Sequence, residues 1–151
     1  MKRSERMQTV ERVVSDVERK KAEALAVRER YVTECENKLA ELESYQKSYG
    51  AQLQTRTGAG ISAAGLRDFQ TFLVKLGEAV KQQTQLIIKA KADRDAERKV
   101  WQHAAQRAEA VGNLVERWQK DEQVQDDKRE QRESDERSQR PSARAENLRG
   151  S

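Results

Sequence analysis

The sequence of 151 residues is poor in the residues that build a compact core and in those that carry out catalysis. It has one proline, one cysteine and one histidine, and only 5% of its residues are aromatic. Leu, Ile, Val and Phe together make up fewer than one residue in five. So little apolar material cannot line both a core and a substrate pocket, which argues against an enzyme. No apolar run approaches the roughly 18 residues of a membrane span, and no apolar segment follows the basic N-terminus as in a signal peptide.

Residues that could hold a metal or a cofactor are equally scarce. Cys35 and His103 stand alone, without further ligands at suitable spacing, so the sequence predicts no zinc site and no Cys/His nucleophile pair. The glycines at Gly58 and Gly60 lack the lysine and the preceding strand of a phosphate-binding loop. We therefore expect no catalytic, metal or cofactor-binding residue and no cofactor. A single cysteine also fits a reduced, cytoplasmic setting.

Charged and helix-forming residues dominate the chain instead. Lys and Arg number 30 and Asp and Glu 26, which gives a net charge of +4 with both signs mixed along the sequence. Ala, Glu, Lys, Leu and Arg make up half of the residues, a composition typical of long helices and coiled coils. Because acidic residues interrupt every basic run, we expect no nucleic-acid partner.

Two apolar stripes with a seven-residue period predict two long helices. The first combines every seventh residue from Met7 with the set three residues further on, and Leu25, Val32, Leu39 and Leu53 widen it. Its two sets are Met7, Val14, Lys21, Arg28, Cys35, Leu42 and Tyr49, and Val10, Val17, Ala24, Tyr31, Lys38, Tyr45 and Gln52. The second stripe consists of Leu66, Leu73, Val80, Ile87, Arg94, Trp101, Ala108 and Val115, with Phe69, Leu76, Gln83, Ala90, Glu97, Ala104, Val111 and Trp118.

The two stripes predict an all-α fold in which two long helices form an antiparallel coiled-coil hairpin. Residues 1–120 form the hairpin, with a turn near residues 55–62 that starts at Thr55, contains two glycines and ends at Ser62, a suitable N-cap. The second helix is longer and overhangs. Residues 121–140 are expected to form a charged helical overhang and residues 141–151 a disordered tail.

A turn centred on Ala59 predicts the register of the coiled coil. The numbers of facing residues then sum to about 118, so that Tyr49 meets Phe69. The layers expected from this rule pair Tyr45 with Leu73, Tyr31 with Ile87 and Val17 with Trp101. Lys21 faces Glu97 in this register, and such a core ion pair can fix register. A slip by one heptad, which sets Arg28 against Glu97, is an open alternative.

Apolar and basic residues at the two ends of the hairpin are candidates for binding partners. Near the turn, Phe72 and the adjacent edge of Leu76 could form a docking patch, or Phe72 could simply flank the seam. At the open end, Trp118 could cap the coiled coil or insert into a partner. The basic residues at this end are Arg3, Arg6, Arg12 and Arg117.

The residues that flank the turn resemble the flagellar export protein FliJ family. The resemblance rests on Tyr45-Gln46-Lys47-Ser48-Tyr49 before the turn, Gly60-Ile61 within it, Phe69-Gln70-Thr71-Phe72-Leu73-Val74-Lys75-Leu76 after it, and the later Trp101. It covers residues 1 to about 120. One departure is Gly77, directly after Leu76.

The resemblance implies a non-catalytic stalk of the flagellar type III export apparatus. One end of the coiled coil would enter the hexameric export ATPase, and the other would contact the export gate protein. Phe72 and Leu76 fall where the gate patch would lie, and Arg3, Arg6, Arg12, Arg117 and Trp118 belong to the ATPase end. Export chaperones are further partners that the resemblance implies. The protein would lie at the cytoplasmic face of the inner membrane, without inserting into it.

Two other functions fit the same pattern. The first is the equivalent stalk of a virulence-type III secretion system, which the sequence separates poorly from the flagellar one. The second is a generic coiled-coil scaffold, but a scaffold dimer would favour one uninterrupted helix over a hairpin with a short glycine turn.

Overall fold

Two long α-helices make up the fold, which confirms the all-α hairpin. The computed structural model describes the backbone of residues 1–149 and the side chains of residues 1–139. Helix α1 spans Arg3–Ala59 and helix α2 spans Ala63–Arg149. Within the described residues, neither helix is apolar enough over a sufficient length to cross a bilayer. The predicted tail, residues 141–151, includes two residues that lie outside the described part, and its disorder stays a prediction.

The turn between the helices is shorter than the composition predicts. Helix α1 does not stop at Thr55 but continues through Gly58 to Ala59, and only residues 60–62 are non-helical. Gly60 has a φ of 95°, the left-handed conformation that ends helices. The Ser62 hydroxyl accepts a hydrogen bond from the Gly65 N–H at 3.1 Å, which confirms Ser62 as the N-cap of α2.

Segments of both helices contribute to each of two compact units. The first unit, Glu18–Ala104, contains the turn, and its core includes Leu76, Ile87 and Ala90. The second unit joins Met1–Val17 with Ala105–Ser151. Val14 and Val115 are buried in it, each less than 7% exposed.

The apolar stripe of α2 lies in the seam as predicted. All sixteen of its members are buried or half-buried, including the polar residues Gln83, Arg94 and Glu97 that interrupt it. Gln83 is only 6% exposed. The seven-residue period therefore identifies the inward face of α2 over its whole apolar length.

The second of the two heptad sets predicted for the α1 stripe does not fill the seam. Val10, Val17, Tyr31 and Tyr45 are 40–61% exposed, so they flank the seam instead of filling it. The seam is formed by the set four residues further on, not three. In this set Leu25 and Val32 are buried, and the remaining members are half-buried: Glu11, Glu18, Leu39, Gln46 and Leu53. The layers predicted for Val17, Tyr31 and Tyr45 are therefore wrong.

Contacts within the Glu18–Ala104 unit confirm the predicted register. The rings of Tyr49 and Phe69, whose numbers sum to 118, have centroids 5.6 Å apart. The Gln83 side-chain amide donates a hydrogen bond to the backbone carbonyl of Cys35 at 2.9 Å, and these numbers have the same sum. The alternative register, shifted by one heptad, is therefore excluded.

Candidate partner-binding surfaces

An aromatic cluster next to the turn holds the two helices together. The Tyr49 ring of α1 lies between Phe69 and Phe72 of α2, with centroid distances of 5.6 and 4.4 Å. The Arg56 guanidinium lies 5.2 Å from the centroid of the Phe69 ring, a cation–π contact in the last turn of α1. Tyr49 and Phe69 are half-buried, whereas Phe72 remains 40% exposed. Phe72 therefore presents one ring face to solvent while Tyr49 supports it.

Leu76 occupies a different environment from Phe72. It is only 9% exposed and belongs to the core of the hairpin. Gly77 next to it lies beside Gln46 of α1, whose amide nitrogen would be 3.7 Å from a Cβ atom at that position. Of the two residues predicted for the tip patch, Phe72 is thus available at the surface, and Leu76 supports the helix beneath it.

The open end of the hairpin is closed by polar contacts that the apolar pattern does not predict. Ser4 is 3% exposed, and both its backbone N–H and its hydroxyl donate hydrogen bonds to the Glu122 carboxylate, the former at 3.1 Å. Lys2 forms an ion pair with Asp126 at 2.6 Å. Because the N–H groups of a first helical turn lack partners within the helix, Glu122 caps α1 from the neighbouring helix. Contacts with α1 thus extend beyond residue 120, where the overhang was expected to begin.

The same contacts shift the ionisation of the groups involved. Hydrogen bonds from the Ser4 hydroxyl and backbone lower the pKa of Glu122, with a smaller contribution from the positive charges of Lys2 and Arg3. The hydrogen bond and charge of Lys2 lower the pKa of Asp126, and the same pair raises the pKa of Lys2. The charged forms of all three groups are therefore favoured in the folded protein.

The basic residues predicted for the ATPase end divide into two groups. The Arg3 guanidinium lies 3.8 Å from the centroid of the Trp118 ring, a cation–π contact, and Trp118 is half-buried. The role of Trp118 at the open end stays a prediction. Arg6, Arg12 and Arg117 are exposed. Three guanidinium groups at this end thus face solvent.

Trp101 makes a polar contact in the seam that the heptad pattern does not predict. Trp101 donates a hydrogen bond from its indole nitrogen to the Glu18 carboxylate at 2.8 Å, so Glu18, and not the predicted Val17, faces it. Lys21 is exposed and Glu97 half-buried, and no ion pair joins them among the described side chains. The role of Lys21 and Glu97 in fixing the register stays a prediction. The buried contact in this part of the seam is that of the Gln83 amide with the Cys35 backbone carbonyl.

The lone cysteine and the lone histidine have the environments expected of structural residues. Cys35 is buried in the seam at 4% exposure, and His103 is exposed. A hydrogen bond with Cys35 raises the pKa of Tyr31, one turn before it on the same helix. In the part of the chain with described side chains, no group of three or more His, Cys, Asp or Glu residues could hold a metal ion.

Comparison with known protein families identifies the family of this chain. The flagellar FliJ protein family matches residues 2–147, nearly the whole chain. The chain belongs to the FliJ family. It is therefore a flagellar protein-export component, and its hairpin is a FliJ coiled coil. Comparisons with curated proteins and with solved structures gave no match.

Proposed function

We propose that the protein is a non-catalytic stalk that couples the hexameric export ATPase to the cytoplasmic region of the export gate. The match to the FliJ family over residues 2–147 supports this proposal, because the matched residues include both ends of the hairpin. The stalk would act at the cytoplasmic face of the inner membrane. Escort of export chaperones is a further role that membership of this family supports.

The tip of the hairpin is the proposed contact with the gate. Phe72 exposes an aromatic face that is already held in place by Tyr49 at 4.4 Å, so binding would cost little side-chain ordering. Aromatic residues of this kind are frequent energetic anchors of interfaces. Leu76 contributes by filling the core under this surface.

Replacement of Phe72 tests the gate contact. Phe72→Ala should weaken binding of the purified gate region about tenfold, which corresponds to ~1–2 kcal/mol for loss of an anchor. Val74→Ala is the matched control, since Val74 is 61% exposed two residues away on the same helix. Isothermal titration measures both affinities. Equal binding by both variants would remove Phe72 from the gate contact.

The open end is the proposed contact with the ATPase ring. Arg6, Arg12 and Arg117 are exposed there and can pair with acidic residues of a ring. The triple change of these residues to Glu should abolish stimulation of the purified ATPase but leave gate binding intact. Arg30→Glu, an exposed arginine in the other unit, controls for the change of charge. If the triple variant is folded and still stimulates the ATPase, the open end is not the ATPase contact.

A further inference from the structure

The two sides of the seam in the Glu18–Ala104 unit have opposite character. On one side, ion pairs join the helices: Glu29 with Arg98 at 3.5 Å and Glu36 with Lys91 at 3.8 Å. We call this side the polar flank. Charged residues at these flanking positions are the usual arrangement in a coiled coil, and they need no further partner.

The other side of the seam carries mainly apolar residues on both helices, and we call it the apolar flank. One ion pair, Arg28 with Asp93 at 4.0 Å, lies at its end away from the turn. Tyr31 and Tyr45 of α1 are 41% and 61% exposed, and Phe72 and Leu86 of α2 are each 40% exposed. The residues on each helix are two heptads apart, so they point in one direction. Between them lie Lys38 on α1 and the small Ala79 on α2.

Contacts across the seam place these residues on the same side. Phe72 of α2 reaches Tyr49 of α1, one turn from Tyr45. Asp93, one heptad beyond Leu86 on α2, forms an ion pair at 4.0 Å with Arg28 of α1, three residues before Tyr31. Scattered exposed hydrophobic residues are normal on a protein surface, but a row shared by two helices indicates a covered surface.

Charged residues of opposite sign border the apolar flank on its two edges. The edge on α1 carries Glu34 and Glu41, and the edge on α2 carries Lys75 and Lys89. All four side chains are exposed. In the observed register, Glu41 lies nearly level with Lys75, and Glu34 lies about one and a half turns from the level of Lys89.

We propose that a second copy of this chain covers the apolar flank and forms a parallel, two-fold symmetric four-helix bundle. A two-fold axis along the helices sets α1 of one copy opposite α2 of the other. Each Glu41 then meets Lys75 of the other copy, and the two apolar rows face each other. Such an interface uses the same residues twice, as closed dimers do.

Charge complementarity singles out a second copy among possible occupants. Any helix that fills this groove must offer basic groups to the α1 edge and acidic groups to the α2 edge. The hairpin itself presents these two edges in the required order. The dimer would also cover Phe72, so that self-association and the proposed gate contact would exclude each other, although the dimer does not depend on that contact.

Charge reversal on the two edges tests the symmetry of this interface. Sedimentation velocity of the full chain should show a concentration-dependent monomer–dimer equilibrium. Glu41→Lys alone and Lys75→Glu alone each place like charges at both contacts, and each should weaken the dimer roughly tenfold. An equimolar mixture of the two variants should restore dimers, since opposite charges then meet at both contacts. Lys81→Glu, an exposed residue of α2 on the other side, is the control and should leave the equilibrium unchanged.

A second variant tests the apolar part of the interface independently of charge. Tyr45→Ser changes a residue that is 61% exposed in one copy, so the hairpin should remain folded while the dimer weakens. Circular dichroism verifies the fold of every variant. A wild-type chain that stays monomeric up to high micromolar concentration would overturn the proposal. So would failure of the mixture to restore dimers, which would point to a different partner helix.

Discussion

Single side chains in the seam fix the relative positions of the two helices more specifically than the apolar residues around them. Gln83 is the clearest example, because its amide is buried and donates to the Cys35 carbonyl. A backbone carbonyl is present at every residue, so the side chain beside it matters: a slip by one heptad would set Gln83 opposite the larger Leu42 or Arg28 instead of the small Cys35. A buried polar residue in a coiled-coil core often has this role.

Substitution of Gln83 should separate stability from register. Gln83→Ala leaves a gap in the seam and should lower the free energy of unfolding by about 1–3 kcal/mol. Gln83→Leu should retain most of the stability, because apolar packing replaces the amide, but it should relax the register. Urea denaturation measures the first effect and disulfide trapping of engineered cysteines the second. Gln82→Ala, an exposed neighbour, should change neither quantity.

The acidic residues at the open end should make its stability depend on pH. The pKa values of Glu122 and Asp126 lie below the ordinary values of 4.5 and 3.8. Their stabilising effect is therefore complete above these ordinary values and is lost as the pH falls through the lowered ones. Wild type should exceed Glu122→Ala in urea resistance at pH 7, and the difference should shrink at pH 3. Glu130→Ala, at an exposed position of the same helix, is the control variant.

At the level of the helices, the sequence predicts the buried face of α2 over residues 66–118 and that of α1 only in part. Helix α1 has three apolar positions per heptad, and the period alone cannot decide which two of them face a partner. Tyr31 and Tyr45 belong to the set three residues after the Met7 set, whereas pairing with α2 buries Leu25 and Val32 of the set four residues after it. The contacts of Ser4 and Glu122 were missed for a related reason, since a polar contact leaves no trace in hydrophobic periodicity.

The candidate sites likewise contain some features that the heptad pattern predicts and others that only the folded hairpin reveals. The sequence identifies Phe72 because an aromatic residue just off a heptad stripe is visible in the pattern. Leu76 belongs to the α2 stripe that the sequence assigns to the seam, and it is buried there, so its part in the tip patch stays a prediction. The pairing of Arg3 with Trp118 joins residues at opposite ends of the sequence, so it requires the register of the folded hairpin.

The turn between the helices offers two glycines with opposite expected behaviour. Gly60 has a φ of 95°, and Gly58 lies within α1. No atom lies within 4 Å of a Cβ at either position, so only backbone conformation matters. Gly58→Ala should raise the free energy of unfolding by about 0.4–1 kcal/mol, and Gly60→Ala should lower it by more than that amount. Thermal and urea unfolding of the two variants measures both free energies. Equal changes in the two variants would contradict the left-handed conformation of Gly60.

At the level of the whole molecule, α2 continues beyond the contacts of α1. The side chains of residues 127–139 are all exposed. Polar pairs within the helix, such as Gln131 with Asp135 at 3.4 Å, stabilise this segment. Isolated pairs of this kind contribute only a few tenths of a kcal/mol each. A helix so built should fray in the free protein.

Hydrogen exchange should reveal this difference along α2. Amides of residues 127–139 should exchange within seconds, whereas those around Ile87 and Ala90 should be protected much longer, because the latter lie in the core. Mass spectrometry of peptic fragments measures both segments in one sample. Equal protection of the two segments in the isolated chain would show that residues 127–139 have a stabilising contact after all.

The short turn at residues 60–62 also determines the order in which the chain can fold during synthesis. Contacts beside the turn join residues close in sequence, whereas those at the open end join residues 118 and 124 positions apart. Because loop closure costs more for longer loops, pairing should start at the turn and spread outward. Helix α1 leaves the ribosome first and waits unpaired for its partner. The N-terminal residues are therefore the last to be secured, once Glu122 and Asp126 have emerged.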